Sequence, residues 1–272
     1  MKKAVLICPF DPITSSELDY AKHLVKKHGL STLFLVPFGN GICTMAERRK
    51  MLETAIAPYR HLELCDQVRK EDKVYSYDDA EKDEEKVRTG SFFLAPKAVR
   101  QIMNENGWYY ECVARANCKP HRYTHSVGVA KTARTIAIAH HMDPLEAYKA
   151  GLLHDVTKAW SDAKSSKVIA RDMPEWLTMS PKIWHSYTAV VFCRQQLDLH
   201  DDRILHAIAH HTLGDGQSDL DKVLYIADKI EPGRGYDTTK EMNLALQDLD
   251  QAAALIMQES KAYREEKEGL DV

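Results

Sequence analysis

The sequence has no CxxC pair among its six cysteines (Cys8, Cys43, Cys65, Cys112, Cys118 and Cys193). That argues against a zinc ribbon, a dithiol redox motif or a disulfide framework, and makes reduced thiols the default. It has no excess of positive charge either, since 37 Lys and Arg stand against 40 Asp and Glu for a formal net charge of -3. Without a basic field to hold a polyanion, nucleic acid is not expected as a partner. No apolar run reaches the roughly 20 residues of a membrane span, and the opening MKKAVLICPFD meets Asp11 too soon to be a signal-peptide core. A cytoplasmic protein with no membrane partner is the expectation. There is no Gly-rich phosphate loop and no internal repeat; Gly214, Gly216, Gly233 and Gly235 read as loop glycines. What is present is 272 residues, enough for two modest domains or one large one, and thirteen histidines, ten of them from His121 onward. Metal chemistry, if there is any, belongs to the C-terminal part.

The first stretch alternates between strand and helix. AVLIC (4–8) and TLFLVP (32–37) are buried-strand runs, ELDYAKHLVKKHG (17–29) and MAERRKMLETAIA (45–57) have helical spacing, and HLELC (61–65) follows as a short run. This βαβ pattern predicts a small parallel, Rossmann-like sheet. Residues 66–88 are dense in both charges and poor in apolar residues, which reads as a solvated linker or loop, or as acidic recognition of a partner. PKAVRQIMNENGWYYE (96–111) is expected as one amphipathic helix ending near Gly107. From about Cys118 the pattern is helical throughout, with helices expected at 124–141, 146–156, 162–171, 182–197, 201–211, 219–230 and 238–265 and a frayed end at REEKEGLDV. The fold class expected is therefore an α/β domain over residues 1–113 and an all-α bundle over 114–272.

His154 and Asp155 are adjacent in the apolar segment GLLHDVTK. An imidazole beside a carboxylate in such a segment is costly to bury unless both are satisfied, and a metal ion satisfies both. Imidazole and carboxylate together suit Fe, Mn, Zn or Co rather than Ca. Upstream, HRYTHSVGV places His121 and His125 one helical turn apart. Downstream, KVLYIADKIE puts Asp228 at the end of an apolar stripe, where capping or an arginine partner is the alternative to a metal. WHSYTA (His185) and AIAHHT (His210, His211) carry further histidines inside helical patterns.

The ordered set His125, His154 with Asp155, then Asp228 resembles the HD-domain superfamily of metal-dependent phosphohydrolases, an all-helical fold. The words HRYTHSVGVA, GLLHDVTK, WHSYTA, HHT and KVLYIADKIEPGR resemble the YqeK family of symmetrical bis(5'-nucleosyl)-tetraphosphatases over about residues 115–260. The resemblance implies that His125, His154, Asp155 and Asp228 hold the metal, which in that family is iron, with Mn or another divalent cation as substitutes and a second metal left open at His210. It places Arg122, Asp155, Val156, Thr157, Lys158, His185, His211, Thr212, Asp228 and Arg234 at the nucleotide, with ADP as product. Asp155, Lys158, His185 and His211 are the candidate catalytic residues. A cation of this kind activates water and polarises a phosphoryl oxygen; Lys158, Arg122 and Arg234 spread the polyphosphate charge; His185 or His211 handles the proton of the departing phosphate. The implied reaction splits diadenosine tetraphosphate into two ADP. Another HD phosphohydrolase and a nucleotide-sensing regulator are the competing readings, and a homodimer is left open. His121 reads as orienting its turn; His140, His141, His200 and His206 read as surface or packing residues.

At the other end, CPFDPITSSELDYAKHL, LFLVPF with ERRKMLETAI, and VRTGSFFLAPKAVRQIMNENGWYY resemble nicotinate-nucleotide adenylyltransferases. Where that family has a His-x-x-His pair, this chain has Thr14 and Glu17, so the donors to the triphosphate are missing and Glu17 is expected to repel it. Residues 1–113 thus read as a degenerate nucleotidyltransferase-like domain, a scaffold or dimerisation module.

Overall fold

A computed structural model of the chain describes residues 2–69 and 72–268, with side chains to residue 263. The chain divides into two compact units, one of Met1–Val113 with Gln195–Leu199 and the other of Ala114–Arg194 with His200–Val272.

The N-terminal unit runs β1 (Lys3–Cys8), α1 (Ser15–His28), β2 (Thr32–Pro37), α2 (Met45–Ile56), β3 (Leu62–Leu64), β4 (Val74–Ser76), α3 (Ala80–Arg88), a 3-10 turn at Phe92–Leu94 and α4 (Lys97–Asn106), with α5 (Tyr110–Asn117) following across the division. The four strands form a parallel sheet in the order β3-β2-β1-β4. β1 is central because its Ala4, Val5 and Leu6 are buried, as a parallel strand covered on both faces requires. α1 begins on a capping box: the Thr14 N–H donates to Glu17 Oε2 at 2.8 Å and the Glu17 N–H donates to Thr14 Oγ1 at 3.2 Å. It stops at Gly29, whose φ of 58° is the left-handed conformation that closes a helix. Glu17 is therefore buried and committed to the helix start, not presented to a phosphate as expected.

The solvated linker expected over 66–88 is corrected. Its middle pairs with β1 as the edge strand β4, in the register Val5↔Val74, Leu6↔Tyr75, Ile7↔Ser76, and its end forms α3, which buries Ala80, Glu84 and Val87. The ladder to β1 is non-local, so the charged segment gives no local sign of it. Glu84 goes inward because Arg88 Nη1 donates to its Oε2 at 3.3 Å. The helix expected to end near Gly107 does so: α4 closes on Gly107 (φ 66°), and the residues beyond it open a second helix, α5, at Tyr110.

The helical unit continues with α6 (Pro120–Ala139), α7 (Pro144–Leu153), α8 (Asp162–Asp172), 3-10 turns at Pro174–Thr178 and Pro181–Ile183, α9 (Trp184–Leu197), α10 (Asp202–His210), α11 (Asp219–Ile230), a 3-10 turn at Pro232–Arg234, α12 (Thr239–Ala245) and α13 (Leu249–Glu268). The one helix expected over 238–265 breaks in two because the Asp248 carboxylate accepts the Gln251 N–H at 3.0 Å and so caps a new start. Helix α13 runs to Glu268, so REEKEGLDV is helical in its first five residues, and its last four lie outside the described residues. Helices α6 and α7 pack backbone to backbone: a Cβ on Gly151 would come within 2.5 Å of Ala130 Cα. That close approach is what brings the end of α7 beside the start of α6. Among the described residues no helix is long and apolar enough to cross a membrane.

Candidate metal centre

His154 sits at the C-terminal end of α7, where helical carbonyls lack partners, and its Nδ1–H donates to the Gly151 carbonyl at 2.7 Å. His211, at the end of α10, repeats the device by donating Nδ1–H to the Ile208 carbonyl at 2.7 Å. In each case the bond fixes the tautomer, so Nε2 carries the lone pair and faces inward. His154 Nε2 is fully buried and has no hydrogen-bond partner. Such an orphaned acceptor is expensive in a core unless an electrophile pairs with it.

Two carboxylates face it. His154 Nε2 lies 3.7 Å from Asp155 Oδ2 and 3.7 Å from Asp228 Oδ1, and His125 Nε2 lies 3.0 Å from the same Asp228 oxygen. His125, His154 and Asp228 offer atoms within 4.8 Å of one another, and so do His154, Asp155 and His211. The four residues anticipated for the metal thus converge, and His211 adds a fifth donor at the same centre. The donor set of neutral imidazoles and carboxylates fits a divalent transition metal. Asp228 is near the C-terminus of α11, the wrong end of the dipole for an anion. It is held there by Lys229 Nζ at 2.6 Å and by Arg234, whose Nη2 approaches Oδ1 at 2.8 Å and whose Nε donates to the Asp228 carbonyl at 2.9 Å.

The electrostatics follow from this packing. Burial alone would raise the Asp155 carboxyl, but His154, His211 and His185 outweigh it and hold it below the ordinary range. Burial likewise works against Asp228, where Lys229, His125 and His154 win and keep it ionised. Burial drives His154 down to about 4 and His185 down to about 2, so both rings are neutral near pH 7. His125 moves the other way, because the carboxylates of Asp228 and Glu231 overcome its burial.

The anticipated substrate residues divide by position. His185 Nε2 lies 3.3 Å from Asp155 Oδ1 and 3.2 Å from His211 Nε2, while Lys158 Nζ lies 3.0 Å from its Nδ1. Thr212 Oγ1 is 3.2 Å from both His185 Nε2 and His211 Nε2. Arg122 Nη1 is 3.4 Å from Asp155 Oδ2, and Arg122, His121, Asp155 and Lys158 line a cavity of about 220 Å³. Thr157 is further back, its hydroxyl bonded to the His185 carbonyl at 3.0 Å and to Thr188 at 2.7 Å, where it supports the ring. Val156 is fully buried, and its N–H is donated to Leu153. His210 is apart from the cluster, paired with Asp215 at 2.7 Å and stacked on His206. Sequence reasoning passed over Glu231, which is buried and accepts from His125 Nδ1 at 3.0 Å; the only hint was its place in KIEPGR, next to a proline and outside the apolar stripe.

Residues 122–233 match the HD domain family, so the fold and this constellation define an HD-domain protein. By its relatives the chain belongs, more narrowly, to the family of symmetrical bis(5'-nucleosyl)-tetraphosphatases. A Bacillus subtilis (strain 168) protein named "Bis(5'-nucleosyl)-tetraphosphatase, symmetrical" is 38% identical over 136 residues, 48% of this chain and 73% of that protein. A Mycoplasma genitalium protein named "Probable nicotinate-nucleotide adenylyltransferase/Ap4A hydrolase" is 31% identical over 172 residues, 58% of this chain. This chain spans about half of that relative's length (48%). Among solved structures, an HD superfamily hydrolase described as involved in NAD metabolism, from Clostridium acetobutylicum, superposes with a TM-score of 0.55 at 27% identity, over 60% of this chain and 89% of that one.

Proposed function

We propose that this chain is a metal-dependent phosphoanhydride hydrolase that splits diadenosine tetraphosphate and related dinucleoside polyphosphates symmetrically, giving two ADP. The observation that carries the reading is the unpartnered Nε2 of His154, which faces two carboxylates kept ionised in a buried pocket. His125, His154, Asp155 and Asp228 would hold a divalent cation, iron by family likeness, and His211 offers its Nε2 to the same centre. The bound cation supplies Lewis-acid activation of water and of a phosphoryl group.

The chain's own residues supply the rest. Arg122 and Lys158 line the cavity beside Asp155 and give the phosphates a cationic wall, and Arg234 adds a guanidinium from the other side of Asp228. Preplaced charge of this kind holds the phosphate chain in line and stabilises the transition state. Burial lowers the Lys158 ammonium, so it yields a proton more readily than a surface lysine. Lys158 Nζ lies 3.0 Å from Nδ1 and 2.9 Å from Nε2 of His185, so the ammonium and this ring stand together beside Asp155, and either can pass a proton toward the departing phosphate oxygen. Thr212 fixes the same ring from a third side.

The N-terminal unit serves as a scaffold in this reading, because Thr14 and Glu17 are occupied in capping α1 and offer nothing to a triphosphate. A cytoplasmic location is part of the proposal. The test is purified protein with iron(II) or manganese(II) and diadenosine tetraphosphate, with products resolved by chromatography. Two ADP per substrate is the expected result; ATP plus AMP, or no turnover, overturns it. Brisk dinucleotide synthesis from nicotinate mononucleotide and ATP would overturn the scaffold role.

A further inference from the structure

We infer that Glu231 is a positioning residue that ties the histidine end of the metal centre to the arginine that contacts phosphate. It is not among the donors whose atoms come within reach of one cation, and it acts through its neighbours. Its two carboxylate oxygens do two different jobs. Oε1 lies 3.0 Å from His125 Nδ1, which fixes that ring as an Nδ1–H donor and aims its Nε2 at Asp228. Oε2 accepts the Gly233 N–H at 2.6 Å, which starts the Pro232–Arg234 turn. That turn delivers Arg234 to Asp228, where its guanidinium meets both the carboxylate and the carbonyl. One side chain thus sets the orientation of a metal ligand and the placement of a phosphate-binding cation.

The surroundings are shaped for it. Glu231 is 3% exposed, and the space its carboxylate fills exists because residue 128 of α6 has no side chain: a Cβ there would come within 2.3 Å of Oε2. His125 and Gly128 are three residues apart in α6, so one face of that helix supplies both the partner and the gap. A glycine inside a helix is unfavourable relative to alanine, and this close approach accounts for its presence. Carboxylates behind metal-bound histidines raise ligand basicity and lock ring orientation, and losing one commonly costs about 10- to 100-fold in metal affinity.

The inference rests on the proposed metal centre, and the experiment separates the two. Manganese(II) binding to the full chain is followed by electron paramagnetic resonance of the free ion, without substrate, for the parent, Glu231→Gln and Gly128→Ala. Glutamine has one acceptor and one NH₂ group, so it cannot accept from both His125 and Gly233. Gly128→Ala keeps the carboxylate but displaces it, and it favours the helix. Both variants are expected to bind manganese about 10- to 100-fold more weakly while melting cooperatively. With diadenosine tetraphosphate as substrate and saturating metal, both are also expected to show a raised KM through the shifted Arg234 turn. If the parent binds and both variants bind as tightly as the parent, the role of Glu231 is refuted. If the parent itself binds no manganese, the metal centre fails instead.

Discussion

In the N-terminal unit Glu17 and Glu84 are buried together, and both carboxyls are pushed up, Glu84 to about 7, chiefly by burial. In the helical unit Asp155 and Asp228 are also buried, yet both are held below the ordinary range. The difference lies in the company each pair keeps. Glu17 and Glu84 face each other, so the cheaper solution is to keep a proton between them. Asp155 and Asp228 face histidines and cations, so they stay ionised and their charge converges on an imidazole nitrogen with no partner. Burial of acids is common to both units; what distinguishes a site is that charge and lone pairs are left over and point at one place.

Substituting the helical unit's acids should have the largest consequence. Asp155→Ala removes the carboxylate shared by His154, His185 and His211, and turnover of diadenosine tetraphosphate is expected to fall by at least about 10³-fold with the thermal transition retained. Steady-state kinetics beside a melting curve checks this, and an active variant would erase the contrast between the two acid pairs. Next in size, Arg122→Ala or Arg234→Ala removes one of the charge-assisted contacts proposed for phosphate, a kind worth about 1.5–3 kcal/mol each. KM is expected to rise about 10- to 100-fold, with the effect weaker in high salt.

The N-terminal pair predicts a smaller effect of the opposite kind. Glu84 binds its proton more tightly folded than unfolded, so the native state holds more protons between its ordinary value near 4.5 and about 7. Its contribution to stability is therefore full below pH 4.5 and declines as pH rises through 7. Glu84→Gln should flatten that decline in denaturant melts of the N-terminal unit at pH 5, 6, 7 and 8; an unchanged slope would show that the pair does not share a proton. The smallest effect belongs to Thr14→Ala, which removes the α1 cap and should cost about 1 kcal/mol without altering hydrolysis.

Much of the helical unit was legible in the sequence, because apolar stripes at helical spacing, glycine stops and acidic caps are local signals. The convergence of the cluster was legible in part: His154, Asp155 and Asp228 each put a polar group where an apolar one would be cheaper, whereas His125 came from the family resemblance. Glu231 was not legible: its partner is 106 residues away in the chain, and the gap it fills is made by an absent side chain at Gly128. The charged stretch 66–88 was misread for a similar reason. Strand β4 owes its existence to hydrogen bonds from β1, and Glu84 owes its burial to Arg88 and Glu17, none of which composition records.

The most direct test of the account is anomalous diffraction from crystals of the chain grown with manganese(II). A single strong peak is predicted about 2.0–2.2 Å from nitrogen or oxygen atoms of His125, His154, Asp155 and Asp228. Saturating manganese with no peak there, or a peak held by other residues, would contradict it.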